Sequence, residues 1–388
     1  MAIALVTNVL APYRVPLYAL LAERYGVEVL CFGAGAGYVP TWFADLDAQL
    51  AAAPFPARRI GGPGAALRLS RRYDGAIAPV AGGAMLPATY LGMRARGKPF
   101  VLWGSVWAHP RGGKAPVGWP LVRHVYRHAD AVVTYGEHVR RYVARYRGDD
   151  DDVVIAPQSV EAELFGRRVA AEEIAAWRAE HALPADGPLV LSVGRLVPEK
   201  GIEELLAAWR LVEARAAAAR KGTPPATGPT PLAAPRPAAP PTLVAIGDGP
   251  LAGAVEATPR TKLLGPQPRD RLPVAYAAAD LLVVPSIPTP RFREPWGLVC
   301  NEALHQGTPV VATTAVGAVA GGLIRDGDTG LVVPPGDPPA LASAIERLLE
   351  DQALRTRLGE AGRAALAGHT YAAMADAFGV ALARAGAL

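Results

Sequence analysis

The stretch LVLSVGRLVPEKG, residues 189–201, joins an apolar run to a glycine, an arginine and a lysine. A short β-branched and leucine-rich run that ends at glycine predicts a buried strand of a parallel sheet. Arg195 and Lys200 would then lie at the carboxyl end of this strand, the edge at which α/β sheets bind ligands. An arginine fork and a lysine point charge suit a diphosphate. The alternative is that both cations only solvate a turn.

The same alternation of apolar runs and helical patterns extends in both directions and predicts an α/β fold with two parallel sheets. In the first half the predicted strands are 2–9, 27–32, 74–80, 98–103, 131–135 and 153–156; in the second half they are 188–194, 243–247, 262–264, 281–285, 309–313 and 330–334. The restart places a domain boundary near residue 170, with domains 1–170 and 171–388. Three helices are expected after the last strand, at 337–350, 351–367 and 370–385, and one of them is expected to return to the first domain.

A proline-rich segment, GTPPATGPTPLAAPRPAAPPT at 222–242, interrupts the second half. Proline removes backbone donors and blocks both helices and central strands. We therefore expect a disordered insert within one βαβ unit, dispensable for activity.

Composition narrows the class of protein. The chain has 388 residues, 51% of them hydrophobic, which is enough for two cores, and only two cysteines, Cys31 and Cys300. The apolar N-terminus reads as a strand, and no later run has the roughly 18 apolar residues of a membrane span. These features predict a cytoplasmic protein.

The net charge of +5 arises in residues 1–185, so this half can attract an anionic membrane surface or a phosphorylated ligand. No basic run interleaved with aromatics indicates a nucleic-acid groove.

The segment EPWGLVCNE at 294–302 places two glutamates eight positions apart around a predicted helix start. Carboxylates accept paired hydrogen bonds from vicinal diols, such as those of sugars and ribose. The sequence predicts that Glu302 lies about two turns into the helix and that the amides of Gly297, Leu298 and Val299 point at an anion. The alternative is a solvated helix start.

A glycine pair, Gly247 and Gly249 in AIGDGP at 245–250, follows another predicted strand. Bare backbone there permits close approach of a ligand. An ordinary tight turn uses the same residues.

Five segments of the second half follow in this order: GRLVPEKG, GDGP, LPVAYAAADLLVVPS at 272–286, EPWGLVCNEAL and GTPVVATTAVGAVAGGLIRDGDTGLVVPPGD at 307–337. In their order and spacing, these segments resemble the retaining glycosyltransferases of family GT4, the glycosyl transferases group 1. The resemblance covers about residues 190–385, and TNVLAPYRVPLYALL at 7–21 is similar to the opening of some members. It implies a GT-B fold, in which two Rossmann-like domains face each other across a cleft.

The resemblance also implies roles for individual residues. Arg195 and Lys200 would bind the donor diphosphate, Glu294 the hydroxyls of the donor sugar, and Glu302 the nucleotide ribose. The backbone from Trp296 to Val299 would contact sugar and phosphate. Such enzymes use a UDP- or GDP-sugar, keep the anomeric configuration and need no metal or other cofactor. Because Arg195 and Lys200 are expected to lie exposed at the cleft, replacing either should leave the fold intact.

The acceptor is expected in the first domain. The resemblance places the loop after the first strand at the cleft, which makes Asn8 and Arg14 candidates for acceptor or phosphate contact; an asparagine cap and a surface arginine are the alternative. Many GT4 members have a histidine after the strand that corresponds to 98–103. His109 lies further along and is a candidate for this catalytic position, or else a loop histidine without a role. Trp107 is a candidate acceptor platform or a core residue.

Three functions remain open at this point. The first is transfer to a lipid-linked, polysaccharide or secondary-metabolite acceptor, as in polysaccharide biosynthesis. The second is a nucleotide-sugar 2-epimerase on the same fold. The third is a non-catalytic partner that binds carbohydrate or nucleotide.

Overall fold

The computed structural model describes residues 1–33, 45–80, 83–109, 115–220 and 239–388. The chain divides into two compact units. Unit 1 comprises Met1–Glu161 and Gly368–Leu388, and unit 2 comprises Ala162–Ala367. The first boundary between the two units, at residue 161, thus lies nine residues before residue 170, the boundary predicted from the sequence.

Unit 1 contains a seven-stranded parallel sheet. Its strands are β1 (Ile3–Thr7), β2 (Val27–Cys31), β3 (Ala57–Arg59), β4 (Gly75–Pro79), β5 (Phe100–Gly104), β6 (Ala131–Thr134) and β7 (Val153–Ile155). Its helices are α1 (Val15–Tyr25), α2 (Leu46–Ala51), α3 (Pro63–Leu67), α4 (Met85–Arg94), α5 (Ala115–His128), α6 (Glu137–Arg147) and, from the chain's end, α16 (Tyr371–Arg384). The strand order is β3-β2-β1-β4-β5-β6-β7.

Both faces of this sheet are covered, because the strand residues alternate between two apolar cores. One core includes Tyr90, Phe100 and Tyr126. The other includes Leu17 and Phe378. Phe378 belongs to α16, so the last helix completes unit 1.

Unit 2 contains a six-stranded parallel sheet in the order β10-β9-β8-β11-β12-β13. Its strands are β8 (Leu189–Val193), β9 (Thr242–Ile246), β10 (Thr261–Leu263), β11 (Leu281–Val284), β12 (Val310–Thr313) and β13 (Leu331–Val333). Its helices are α7 (Ala162–Phe165), α8 (Ala171–Glu180), α9 (Ile202–Arg220), α10 (Ala252–Glu256), α11 (Leu272–Ala278), α12 (Val299–His305), α13 (Gly317–Ala320), α14 (Pro338–Glu350) and α15 (Gln352–Ala365).

This order reverses between β8 and β11, as it does between β1 and β4 in unit 1. At each reversal the connections that follow the two central strands run in opposite directions. A crevice therefore opens at the carboxyl ends of those strands. Of the proline-rich segment, residues 222–238 lie outside the described residues. No helix within the described ranges has both the length and the apolar character needed to cross a bilayer.

Candidate functional site

The loop after β8 carries both predicted phosphate ligands. Arg195 follows Gly194 directly, and Lys200 ends a 3-10 turn at Pro198–Lys200. The Arg195 side chain is 42% exposed, and its Nη2 lies 3.4 Å from Oε1 of Glu199. An exposed pair of this kind contributes little to stability, so a ligand anion can replace the carboxylate at small cost.

Lys200 lies in a different environment. Its ammonium forms an ion pair with Oε2 of Glu294, and it lies 5.8 Å from the centroid of the Phe292 ring. Ser286 Oγ donates a hydrogen bond of 3.2 Å to the same carboxylate oxygen. The Glu294 side chain is only 8% exposed and that of Lys200 24%. Glu294 is therefore a buried carboxylate whose charge Lys200 balances.

This pairing corrects one sequence-based expectation. Lys200 is not an exposed side chain that acts on a ligand alone, because its removal would leave the Glu294 carboxylate buried without its counter-ion. Such stranded charges destabilise a protein strongly. Replacement of Lys200 is therefore expected to affect the fold as well as the activity.

Backbone contacts fix Glu294 beside the switch point. Glu294 forms an isolated parallel bridge with Val316, and Ala318 N donates to the carbonyl oxygen of Trp296 at 2.7 Å. Since the loop after β11 is held in this way against the residues that follow β12, the carboxylate can meet a lysine 94 positions earlier.

The helix after Glu294 begins later than predicted. Gly297 has a φ of +90°, which lies outside the helical region, and α12 begins only at Val299. Glu302 thus lies in the first turn of the helix and not two turns into it. The predicted anion contacts of the Gly297, Leu298 and Val299 amides remain predictions. The Trp296 indole is buried and donates to Asn301 Oδ1 at 2.8 Å, so only the backbone of Trp296 is suited to the predicted contact.

Gly247 and Gly249 are required by a contact between two loops. A Cβ at Gly247 would lie 1.9 Å from the carbonyl oxygen of Gly194, and one at Gly249 would lie 2.4 Å from that of Leu196. Leu196 N donates to the carbonyl oxygen of Asp248 at 2.8 Å. The glycine pair therefore locks the β9 loop against the β8 loop that carries Arg195. A donor contact by these glycines stays a prediction.

Sequence reasoning did not identify Tyr276, which positions Glu302. This tyrosine of α11 is fully buried, and its hydroxyl donates a 2.5 Å hydrogen bond to Glu302 Oε2. Its carbonyl oxygen accepts from Thr308 Oγ1 at 2.7 Å, which fixes the residue. Burial raises the pKa of Glu302, while the hydrogen bond from Tyr276 and the charge of Arg269 lower it in part. The contact forms only where α11 packs against α12 in the folded structure, so no local sequence signal reveals it.

We expect Tyr276→Phe to weaken donor binding about ten-fold, because Glu302 loses the group that orients it. Loss of the hydroxyl also raises the pKa of Glu302 further. If the ionised carboxylate holds the ribose, donor KM should then begin to rise at a higher pH on acidification than it does in wild type. Donor KM measured across pH 5–8 checks this; an unchanged pH profile would show that Tyr276 is only a core residue.

In unit 1, Arg14 is buried and not a surface arginine. Its Nη2 donates to Gln158 Oε1 at 2.6 Å and to the Tyr135 hydroxyl at 3.1 Å. Its guanidinium lies 4.8 Å from the centroid of the Trp103 ring. Asn8 is half-buried after β1 and accepts a 3.5 Å contact from Thr7 Oγ1. The acceptor roles of Asn8 and Arg14 stay predictions.

The remaining candidates of unit 1 lie after β5. His109 is exposed, and its ring packs edge-on against Trp119 at 5.1 Å between centroids. Trp107 is half-buried against the core and packs edge-on against His138 at 5.2 Å. These rings belong to unit 1, whereas the Arg195, Lys200 and Glu294 cluster belongs to unit 2. Within the described parts of the chain, no cluster of three or more histidine, cysteine or acidic side chains is arranged to hold a metal.

Comparison with known proteins finds a family model and curated relatives that match part of the chain. Residues 187–351 match the family model described as glycosyl transferases group 1. D-inositol 3-phosphate glycosyltransferase of Salinispora arenicola is 34% identical over 235 residues, 57% of this chain and 47% of the relative. The Nocardia farcinica protein of the same name is 33% identical over 260 residues, 66% of this chain and 52% of the relative. The matches thus span about half the length of these curated relatives.

A solved structure extends the likeness to the whole chain. Anabaena HepE, in complex with UDP-glucose, matches with a TM-score of 0.74 at 19% identity and covers 99% of both chains. At that identity the likeness concerns the fold.

Proposed function

We propose that this chain is a member of the glycosyl transferases group 1, whose family model matches residues 187–351, and that it transfers a sugar from a nucleoside diphosphate donor to an acceptor. The GT-B fold class predicted from the sequence is confirmed by two units with parallel sheets and by the likeness to HepE. The donor is a UDP- or GDP-sugar.

One observation carries this proposal. Arg195 and Lys200 lie in the loop after β8, and Glu294 lies in the loop after β11. These are the two strands between which the sheet order reverses. Two cations and a carboxylate at that edge match a ligand with phosphate at one end and sugar hydroxyls at the other.

The proposed chemistry is stabilisation of a departing diphosphate. As the bond between the sugar and the phosphate oxygen breaks, negative charge grows on that oxygen, and preorganised cations lower the energy of this state. Arg195 and Lys200 supply that charge without a metal. Glu294 holds donor hydroxyls close to the reacting carbon, and the reaction retains the anomeric configuration.

We assign acceptor binding to unit 1, with Asn8, Arg14, Trp107 and His109 as its candidate residues. The acceptor classes are a lipid-linked sugar, a polysaccharide or a secondary metabolite. The basic excess of residues 1–185 supports contact with an anionic membrane surface at the cytoplasmic side.

A thermal-shift panel of UDP-, GDP-, dTDP- and ADP-sugars tests the donor. A ligand that binds the native state raises the melting temperature in proportion to the logarithm of its concentration over Kd. One nucleotide class should produce a clear rise. Nucleotide release that depends on added acceptor would then separate transfer from 2-epimerisation, and binding without turnover would indicate the non-catalytic partner.

Glu294→Gln and Glu302→Gln should change different kinetic constants. Glu294 is expected to bind hydroxyls whose interaction changes as the sugar flattens, so its loss should fall mainly on kcat. Glu302 is expected to grip ribose equally in ground and transition states, so its loss should raise donor KM. Donor-varied kinetics at saturating acceptor decide between them; equal KM effects with unchanged kcat in both variants would contradict the division of roles.

A further inference from the structure

Helices α5 and α6 of unit 1 border a surface concavity of about 250 Å³. Its lining residues are Pro120, Arg123, His124, Arg127, His128 and Tyr146. Pockets for drug-sized ligands hold roughly 300–1,000 Å³, and a water molecule takes about 30 Å³ of liquid. The cavity therefore suits a small group with some hydration better than a nucleotide or a glycan.

The two arginines are anchored against one tyrosine. The Arg123 guanidinium lies 5.0 Å from the centroid of the Tyr146 ring, and Arg127 Nε donates to the Tyr146 carbonyl oxygen at 3.0 Å. A guanidinium has five N–H donors. Each arginine thus keeps donors for a ligand while its position is fixed.

Two imidazoles extend the same basic wall. His124 and His128 are one helical turn apart on α5, with ring centroids separated by 4.4 Å. Both are exposed, and His124 also packs edge-on against Tyr90 of α4. Two rings and two guanidiniums converge on one small cavity.

Two acidic residues that follow α5 and α6 in the chain, Asp130 and Asp152, bond to other groups. Asp130 accepts from Arg94 Nη1 at 2.9 Å and from Phe100 N at 2.8 Å. Asp152 pairs with Arg147 at 3.7 Å. In the described part of the chain, neither Arg123 nor Arg127 forms an ion pair with an acidic side chain.

The positive charges around the concavity act on His128. Its pKa is lowered, first because neighbouring groups displace part of its hydration and then by the charges of His124, Arg127, Arg94 and Arg147. A bound anion would relieve that repulsion and, by linkage, raise the pKa of this imidazole.

We propose that this concavity binds a phosphate group, presented as a phosphomonoester by a soluble compound or by an anionic lipid headgroup. Arg123 and Arg127 supply charge-assisted hydrogen bonds, and the imidazoles add donors when protonated. The residues that line the concavity differ from those assigned above to the donor and to the acceptor.

Titration with sodium sulfate, which replaces sodium chloride at constant ionic strength, tests the site. Sulfate remains a dianion between pH 6 and 8, so changes in that range report the protein. Imidazole NMR signals of His124 and His128 should shift saturably, and the pKa of His128 should rise. Absence of saturation, or an unchanged His128 titration, would overturn the proposal.

The variant R123Q/R127Q should weaken binding at least about ten-fold. The matched control R68Q/R71Q removes the same charge from exposed arginines of unit 1 and should bind as wild type does. An equal loss in both would reveal only non-specific attraction and overturn the proposal. If the double variant unfolds, R123Q alone should still weaken binding several-fold.

Two further ligands distinguish the sources of the phosphate. Glycerol 3-phosphate offers the headgroup alone, and vesicles containing phosphatidic acid offer it on a surface. Binding of either that depends on Arg123 and Arg127 supports the proposal and identifies the source. Binding of neither would overturn it.

Discussion

Lys200→Ala is expected to lower turnover roughly 100- to 1,000-fold, since the departing diphosphate loses a preorganised cation. The same change should lower the free energy of unfolding by about 3 kcal/mol, because it leaves the Glu294 carboxylate, 8% exposed, buried without its counter-ion. Steady-state kinetics and denaturant unfolding measure the two effects separately.

The double variant K200A/E294Q separates them further. A neutral amide in place of the carboxylate removes the stranded charge, so most of the stability should return while activity stays low. If K200A alone unfolds at the same denaturant concentration as wild type, Glu294 does not depend on Lys200. If the double variant regains activity, Lys200 does not bind the donor.

Arg195→Ala should produce a comparable loss of turnover, whereas the free energy of unfolding should fall by much less than it does in Lys200→Ala. The side chain is 42% exposed and its pair with Glu199 spans 3.4 Å, an arrangement worth at most about 1 kcal/mol. The loss should therefore be confined to phosphate binding. Kinetics combined with a thermal melt provide the measurement.

The matched control for Arg195 is Glu199→Gln, which removes its partner and keeps the arginine. Donor affinity should stay the same or rise, since the guanidinium no longer has to leave a carboxylate. A severe loss of turnover in E199Q, or wild-type turnover in R195A, would contradict the assignment of Arg195 to the diphosphate.

Most of the fold was predictable from the sequence, because buried parallel strands are continuous apolar runs. β8 and β11 illustrate this, and every predicted strand is present. β3 was missed because it has three residues, two of them Arg58 and Arg59, and lies at the sheet edge, where charged side chains are common.

The partnerships within the site were not predictable. Lys200 and Glu294 are 94 residues apart, and Tyr276 and Glu302 are 26 apart. Which side chains meet depends on the order of strands and on how the loops pack at the sheet edge, and neither is encoded in local sequence. Arg14 illustrates the same limit in unit 1, since its guanidinium donates to Gln158, which lies 144 positions later in the chain.

We propose that unit 2 holds a nucleoside diphosphate through Arg195 and Lys200. Isothermal titration of the wild-type chain with UDP, GDP, dTDP and ADP, and with the matching nucleosides, tests it most directly. One diphosphate should bind at least about 100-fold more tightly than its nucleoside, and R195A should remove most of that difference. If no diphosphate binds, or if nucleoside and diphosphate bind equally well, the claim is wrong.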